Sequence, residues 1–160
     1  MRILIADDDE ICRITLRQHL EKLDHEVVSA NSGEQALEEW EKKEFPLIIS
    51  NWRMEGGDGL DLCRGVRSRK NRDYTYFILL TICSSKQNYL EAMDSGVDDF
   101  LTKPMNKEDL SIRLRVAERI LGFTRQADRL MDLIPICSYC KKIRTSGIDR
   151  SSMPSPVRSW

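Results

Sequence analysis

Arg2-Ile3-Leu4-Ile5-Ala6-Asp7-Asp8-Asp9 opens the chain with a short apolar run that stops on three consecutive acids. A run of this length, rich in Ile and Leu and too short for a helix, predicts a strand buried on both faces, with the acids at its carboxyl end. The same arrangement recurs at residues 26–30, 47–50, 77–81 and 97–101. Between these runs the spacing becomes helical. Leu16, Leu20 and Leu23 fall at i, i+4, i+7, and Gly59, Leu62, Cys63 and Val66 at i, i+3, i+4, i+7. Ser32 and Gln35 form a capping box ahead of Ala36, Leu37 and Trp40, predicting a helix from about 32 to 43. Five apolar runs alternating with amphipathic segments predict an α/β fold: a doubly wound parallel sheet with helices on both faces.

A last helix is expected to open at the N-cap Asn106, with Asp109 in its first turn and Leu110, Leu114, Ala117 and Leu121 on one face. Gly122 weakens a helix by about 1 kcal/mol relative to Ala. Helical spacing nevertheless resumes at Leu130, Leu133 and Ile134, up to Pro135. From residue 145 periodicity is lost, which reads as a disordered tail. The expected organisation is a domain over 1–121, a helical extension with a CxxC pair over 122–144, and a tail over 145–160.

Bulk composition narrows the function. With 25 Lys+Arg against 26 Asp+Glu the net charge is −1, so nucleic acid is not an expected partner. The late basic residues Lys141, Lys142, Arg144, Arg150 and Arg158 are too dispersed to track phosphates. The apolar start is shorter than a signal peptide or a membrane span, which predicts a cytoplasmic protein with no membrane contact. Five cysteines are an odd number, and Cys12, Cys63 and Cys83 sit in apolar-periodic segments, where reduced thiols serve as small core residues.

Ligands of an open parallel sheet bind outside the carboxyl ends of its strands. Every residue there is polar: Asp7 and Asp8 after the first strand, Asn51 after the third, Thr81 closing the fourth, and Lys103-Pro104 after the fifth. Two adjacent acids can supply oxygen ligands to a hard cation. Together with Asp58-Gly59 and the run Gly96-Val97-Asp98-Asp99-Phe100-Leu101-Thr102-Lys103-Pro104, this set resembles the receiver domains of response regulators over about residues 1–121. The resemblance implies a flavodoxin-like, CheY-like sheet of order 2-1-3-4-5 and Mg²⁺-dependent aspartyl-phosphate chemistry in a two-component pathway. Asp7, Asp8, Asn51 and the backbone carbonyl of Arg53 would make up the metal site. Thr81, Phe100 and Lys103 would be the switch and phosphate-contact residues, and a sensor histidine kinase the partner. The family's Lys-Pro bond is often cis.

Position 51 departs from that pattern, because the resemblance places there the aspartate that attacks phosphorus. An amide oxygen is neutral and the amide nitrogen's lone pair is delocalised, so Asn51 offers no useful nucleophile, and the loss of a negative charge weakens the Mg²⁺ site. Glu55 stands where receivers usually have proline, and Ile82 where a small residue follows the threonine; bulk at 82 is expected to narrow the pocket mouth. These accompanying changes favour natural divergence over the alternative, a conventional receiver into which a single Asp→Asn change was introduced. Without an acceptor, Lys103 is expected to neutralise Asp7 and Asp8, while Thr81 and Phe100 keep their places in the architecture.

The expected protein is therefore not an enzyme. It is a pseudo-receiver that acts by protein–protein contact through residues 86–95 and 106–121, with the helical extension as a possible homodimer contact. A second reading is a working phosphoacceptor that uses Asp8 or Asp58. A third rests on Cys137 and Cys140, whose spacing makes half a Zn²⁺ site. No second Cys or His pair follows, and His19 and His25 lie far upstream, so zinc would need a second chain or a longer parent.

Overall fold

The computed structural model describes residues 1–69, 73–82 and 86–132. Five strands alternate with five helices: β1 (Arg2–Ala6), α1 (Glu10–Glu21), β2 (Glu26–Ala30), α2 (Gly33–Lys42), β3 (Leu47–Asn51), α3 (Gly59–Ser68), β4 (Tyr76–Thr81), α4 (Lys86–Asp94), β5 (Asp99–Thr102) and α5 (Lys107–Asp132). The strands are parallel and lie in the order β2-β1-β3-β4-β5, the doubly wound topology expected from the alternation and from the family resemblance.

Side chains of a strand point alternately to opposite faces, and two cores result. Leu4, Ala6, Ile48, Phe77 and Leu79 meet Ala36 and Trp40 of α2, Leu62, Cys63 and Val66 of α3, and Ala92 of α4. Ile3, Ile5, Leu47, Ile49, Ile78 and Leu80 meet Leu16 and Leu20 of α1 and Leu110, Leu114, Ala117 and Leu121 of α5. The stripes read from spacing are thus mostly the buried ones; Leu37 is half-buried against the core, and Leu23, beyond α1, and Leu130, late in α5, are exposed. Caps fix where helices begin: Asp9 accepts the Ile11 and Cys12 N–H groups, Ser32 that of Gln35, and Asp58 those of Leu60 and Asp61.

The fifth strand begins two residues later than its apolar run suggests. Gly96 has φ 88°, and the N–H of Val97 returns to the carbonyl of Ala92 at 3.2 Å, so Val97 closes α4 and buries its side chain instead of pairing with β4. The Lys103-Pro104 bond is cis.

Residues Met1–Thr124 form one compact unit, and Arg125–Trp160 fall in a second, whose described residues are helical. Gly122 does not interrupt α5. Cys83, Cys137, Cys140, Pro135, the late basic residues and the expected tail lie outside the described residues. Among the described residues no helix is long and apolar enough to cross a membrane.

At the end of the sheet opposite the acids, Arg67 binds three segments. Its Nε donates to Gly96 O at 2.9 Å, its Nη1 to Thr75 O at 2.7 Å and its Nη2 to Asp98 Oδ2 at 2.7 Å. Asp98 Oδ2 also accepts the Phe77 N–H at 2.7 Å, so the guanidinium stabilises a carboxylate that holds the start of β4. Arg67→Ala is expected to lower stability by about 2–3 kcal/mol, read as an earlier urea midpoint with an unchanged slope.

Candidate functional site

The carboxyl ends of β1, β3 and β4 and the segment after β5 place the polar residues together. Asp7 is fully buried behind β1, while Asp8 is exposed. Asn51 closes β3, in register with Leu80 of β4, and Lys103 follows β5 with its N–H bonded to Thr81 O at 2.8 Å.

The pocket is organised around one amide nitrogen. Asn51 Nδ2 lies 2.7 Å from the Arg53 carbonyl oxygen, 3.2 Å from Asp8 Oδ1 and 3.4 Å from Asp7 Oδ1. All three neighbours are acceptors only, so chemistry orients the side chain: nitrogen, and not oxygen, must face them. The two hydrogens are shared among three oxygens, the shortest bond being to the carbonyl.

Lys103 engages the remaining side of Asp7, with Nζ 2.7 Å from Oδ2. The Asp9 N–H adds a bond to Asp7 Oδ1 at 3.1 Å, and Arg13 Nη1 donates to the Asp7 backbone oxygen at 2.6 Å. Each oxygen of this buried carboxylate therefore has a donor, as a charge removed from water requires. Asp9 caps α1, and the N–H groups it accepts, that of Cys12 foremost, hold its carboxyl below the ordinary range.

The three oxygens that the family resemblance assigns to Mg²⁺ are thus the three that face the Asn51 amide. Two carboxylates remain, and one is already paired with an ammonium. Among the described residues no group of three His, Cys, Asp or Glu side chains is placed to hold a metal ion. This donor set fits a resident divalent cation poorly, because the Asn51 amide points its N–H groups at the three oxygens such an ion would use and Lys103 already neutralises Asp7.

The other candidate residues are accounted for individually. Thr81 is buried at the end of β4, and Phe100 is half-buried against the α2–α3 core. The Arg53 guanidinium lies 5.6 Å from the Trp52 ring centroid and 3.3 Å from Asp58 Oδ2, at the rim of the pocket. Asp58 is the N-cap of α3, its Oδ1 2.6 Å from the Leu60 N–H, so its carboxylate already has a structural task. Ile82 is 85 % exposed, so its bulk projects into solvent and is not packed over the pocket as its size suggested.

Of the thiols, Cys63 is a core residue. Burial pushes it up to about 11, and its Sγ donates to Ser95 O at 3.3 Å. Cys12 is instead half-buried and bonded to Asp9 Oδ2 at 3.4 Å, a place beside the pocket and not in the core.

Spacing alone missed two supports. Arg13 stands one helical turn beyond the acids and carries no signal that it turns back. The loop after β3 docks on α2: the Gly33 and Glu34 N–H groups donate to Gly57 O and Gly56 O, both at 3.2 Å. Gly56 and Gly57 have φ 75° and 102°, a left-handed backbone that other residues adopt only with strain, and the Gly-Gly pair was the available sign.

Comparison with known proteins gives a consistent result. A family model described as "Response regulator receiver domain" matches residues 3–115. The transcriptional regulatory protein ResD of Bacillus subtilis is 29% identical over 118 residues, which cover 74% of this chain and 48% of ResD. Response regulator RppA of a Synechocystis strain is 32% identical over 121 residues, covering 74% and 51% of the two chains. The chain thus spans about half the length of the curated relatives it matches. Among solved structures, the chemotaxis protein CheY4 of Vibrio cholerae superposes with a TM-score of 0.69 at 28% identity, covering 72% of this chain and 97% of that one.

Proposed function

Because this chain belongs to the response-regulator receiver family, the signalling modules of two-component systems, we propose that it is a receiver that has given up phosphoryl transfer at position 51 and signals by binding other proteins. The observation that carries this reading is the Asn51 amide, which donates toward Asp7, Asp8 and the Arg53 carbonyl. A receiver's aspartate offers phosphorus an anionic oxygen and offers Mg²⁺ a third carboxylate. Asn51 offers neither.

The remaining residues then act as architecture. Lys103 neutralises Asp7, and Thr81 and Phe100 hold β4 and β5 in register without a phosphoryl group to draw them inward. Asp7, Asp8 and the Arg53 carbonyl bind Mg²⁺ weakly at best. With no phosphoryl group to bind one conformation more tightly than another, the domain stays in one conformational state. Its partners, a sensor histidine kinase or other proteins of the pathway, recognise the surface of α4, β5 and α5.

No observation favours Asp8 or Asp58 as a substitute acceptor. Asp58 is held by its capping bonds and by Arg53, and Asp8 by the Asn51 amide. The zinc reading concerns Cys137 and Cys140, outside the described residues. It is tested by metal analysis of the purified chain, where stoichiometric zinc would establish it.

Intact-mass measurement after incubation with Mg²⁺ and a small phosphodonor such as acetyl phosphate is expected to show no phosphoryl adduct. Trp52, next to the altered position and buried, is expected to keep its fluorescence on titration with Mg²⁺ and beryllofluoride. A base-labile adduct on any aspartate would end the proposal.

A further inference from the structure

Asn51 is one hydrolysis away from a carboxylate. The reactants of the ordinary route are its own side chain and the peptide that follows it. The Trp52 backbone nitrogen attacks Asn51 Cγ and gives up its proton, the Cγ–Nδ2 bond breaks, and ammonia leaves with that bond's electrons and the proton. Water then opens the five-membered imide at either carbonyl. The sum is asparagine plus water giving ammonia and aspartate or its iso form, and the aspartate branch would supply the nucleophile that phosphoryl transfer requires.

The fold opposes the first step. The attacking nitrogen is engaged in the sheet, where the Trp52 N–H donates to Leu80 O at 2.9 Å. The other end of the same peptide is held as well, since Asn51 O accepts the Ser50 hydroxyl at 2.9 Å. The next carbonyl, that of Trp52, accepts the Gly59 N–H at 2.7 Å. The Trp52 side chain is buried in the α2–α3 core, and the carboxamide nitrogen is tied to Arg53 O at 2.7 Å. Ring closure requires the peptide between residues 51 and 52 to rotate and the Trp52 nitrogen to lose the proton it donates. A group held in this way reacts only through the fraction of molecules in which the end of β3 has opened.

We propose that the pairing of β3 with β4 protects Asn51 from conversion to aspartate, so that the pocket stays without an acceptor as the protein ages. This inference rests on the reading of Asn51 as the residue that silences the pocket, and it adds how that state is maintained. Identity alone does not maintain it, because an asparagine in a flexible chain converts spontaneously.

The test keeps the full chain in mildly alkaline buffer, folded in one arm and unfolded by guanidinium chloride in the other. Peptides that contain residue 51 are followed by mass and by separation of their aspartate and isoaspartate forms. The unfolded chain is expected to convert, and the folded chain to do so at least about a hundredfold more slowly. Hydrogen exchange of the Trp52 N–H in the folded chain is expected to be slowed by a similar factor, since one opening governs both reactions. Equal rates in the two arms overturn the proposal, whether both are fast or both negligible, because the fold then adds nothing. So does slow conversion beside a Trp52 N–H that exchanges freely, which would place the protection elsewhere. A phosphoryl adduct on chain whose residue 51 is still asparagine overturns the reading of the pocket, whereas conversion of residue 51 in the folded arm overturns only its protection.

Discussion

Asn51→Asp is expected to convert a chain that takes up no phosphoryl group into one that takes up a single group, and to make its fold dependent on divalent cation. The new carboxylate oxygen would attack phosphorus of acetyl phosphate, the bond from phosphorus to the acetate oxygen would break, and acetate would leave with that bond's electrons. In the same change three donated hydrogen bonds become three approaches between oxygen acceptors, because the amide lies 2.7–3.4 Å from Arg53 O, Asp8 Oδ1 and Asp7 Oδ1. Two unit charges at 4 Å repel by about 4 kcal/mol at an effective dielectric near 20, and Asp8 is exposed enough to be screened well below that. A net loss of about 2 kcal/mol without metal is expected, recovered in millimolar Mg²⁺, as measured by urea midpoints with and without the ion. An Asp variant that folds and stays unmodified would show that the amide is not what prevents phosphoryl uptake.

Lys103→Met is expected to lower stability by about 2–4 kcal/mol, more than any exposed substitution in the domain. Asp7 is fully buried, and the Lys103 ammonium lies 2.7 Å from its Oδ2. Methionine can match the length of the lysine stem but returns no donor, so a buried negative charge loses its counterion. Adding Asp7→Asn removes that charge, and the double variant is expected to regain much of what the single one lost. Strict additivity in a double-mutant cycle would show that the two side chains do not act as a pair.

Much of this arrangement is legible before any coordinates. The apolar runs set the five strands because doubly buried strands tolerate little else, and Ser32 and Asn106 announce helix starts because only short polar side chains can return to the backbone there. Residues at the strand ends come together by topology, so Asp7, Asn51, Thr81 and Lys103 could be grouped from order alone. What could not be read was direction. Nothing in the sequence says that the Asn51 nitrogen faces its neighbours, since that depends on three acceptors meeting from β1 and the loop after β3. Ile82 looked like an obstruction because bulk is a sequence property, whereas its exposure depends on the course of the backbone. Val97 belongs by composition to a strand, but the left-handed turn at Gly96 uses its N–H to finish a helix.

The docking of the 56–57 carbonyls on the first turn of α2 gives the pocket a mechanical neighbour. Any displacement of the segment that carries the Arg53 carbonyl must either drag α2 with it or break two bonds to Gly33 and Glu34. Stiffness is thereby shared between the rim of the pocket and a helix on the β2 side of the sheet, away from β5. Motion at position 51 would accordingly be felt at that flank as well, a lever arm that a freely hinged loop does not possess.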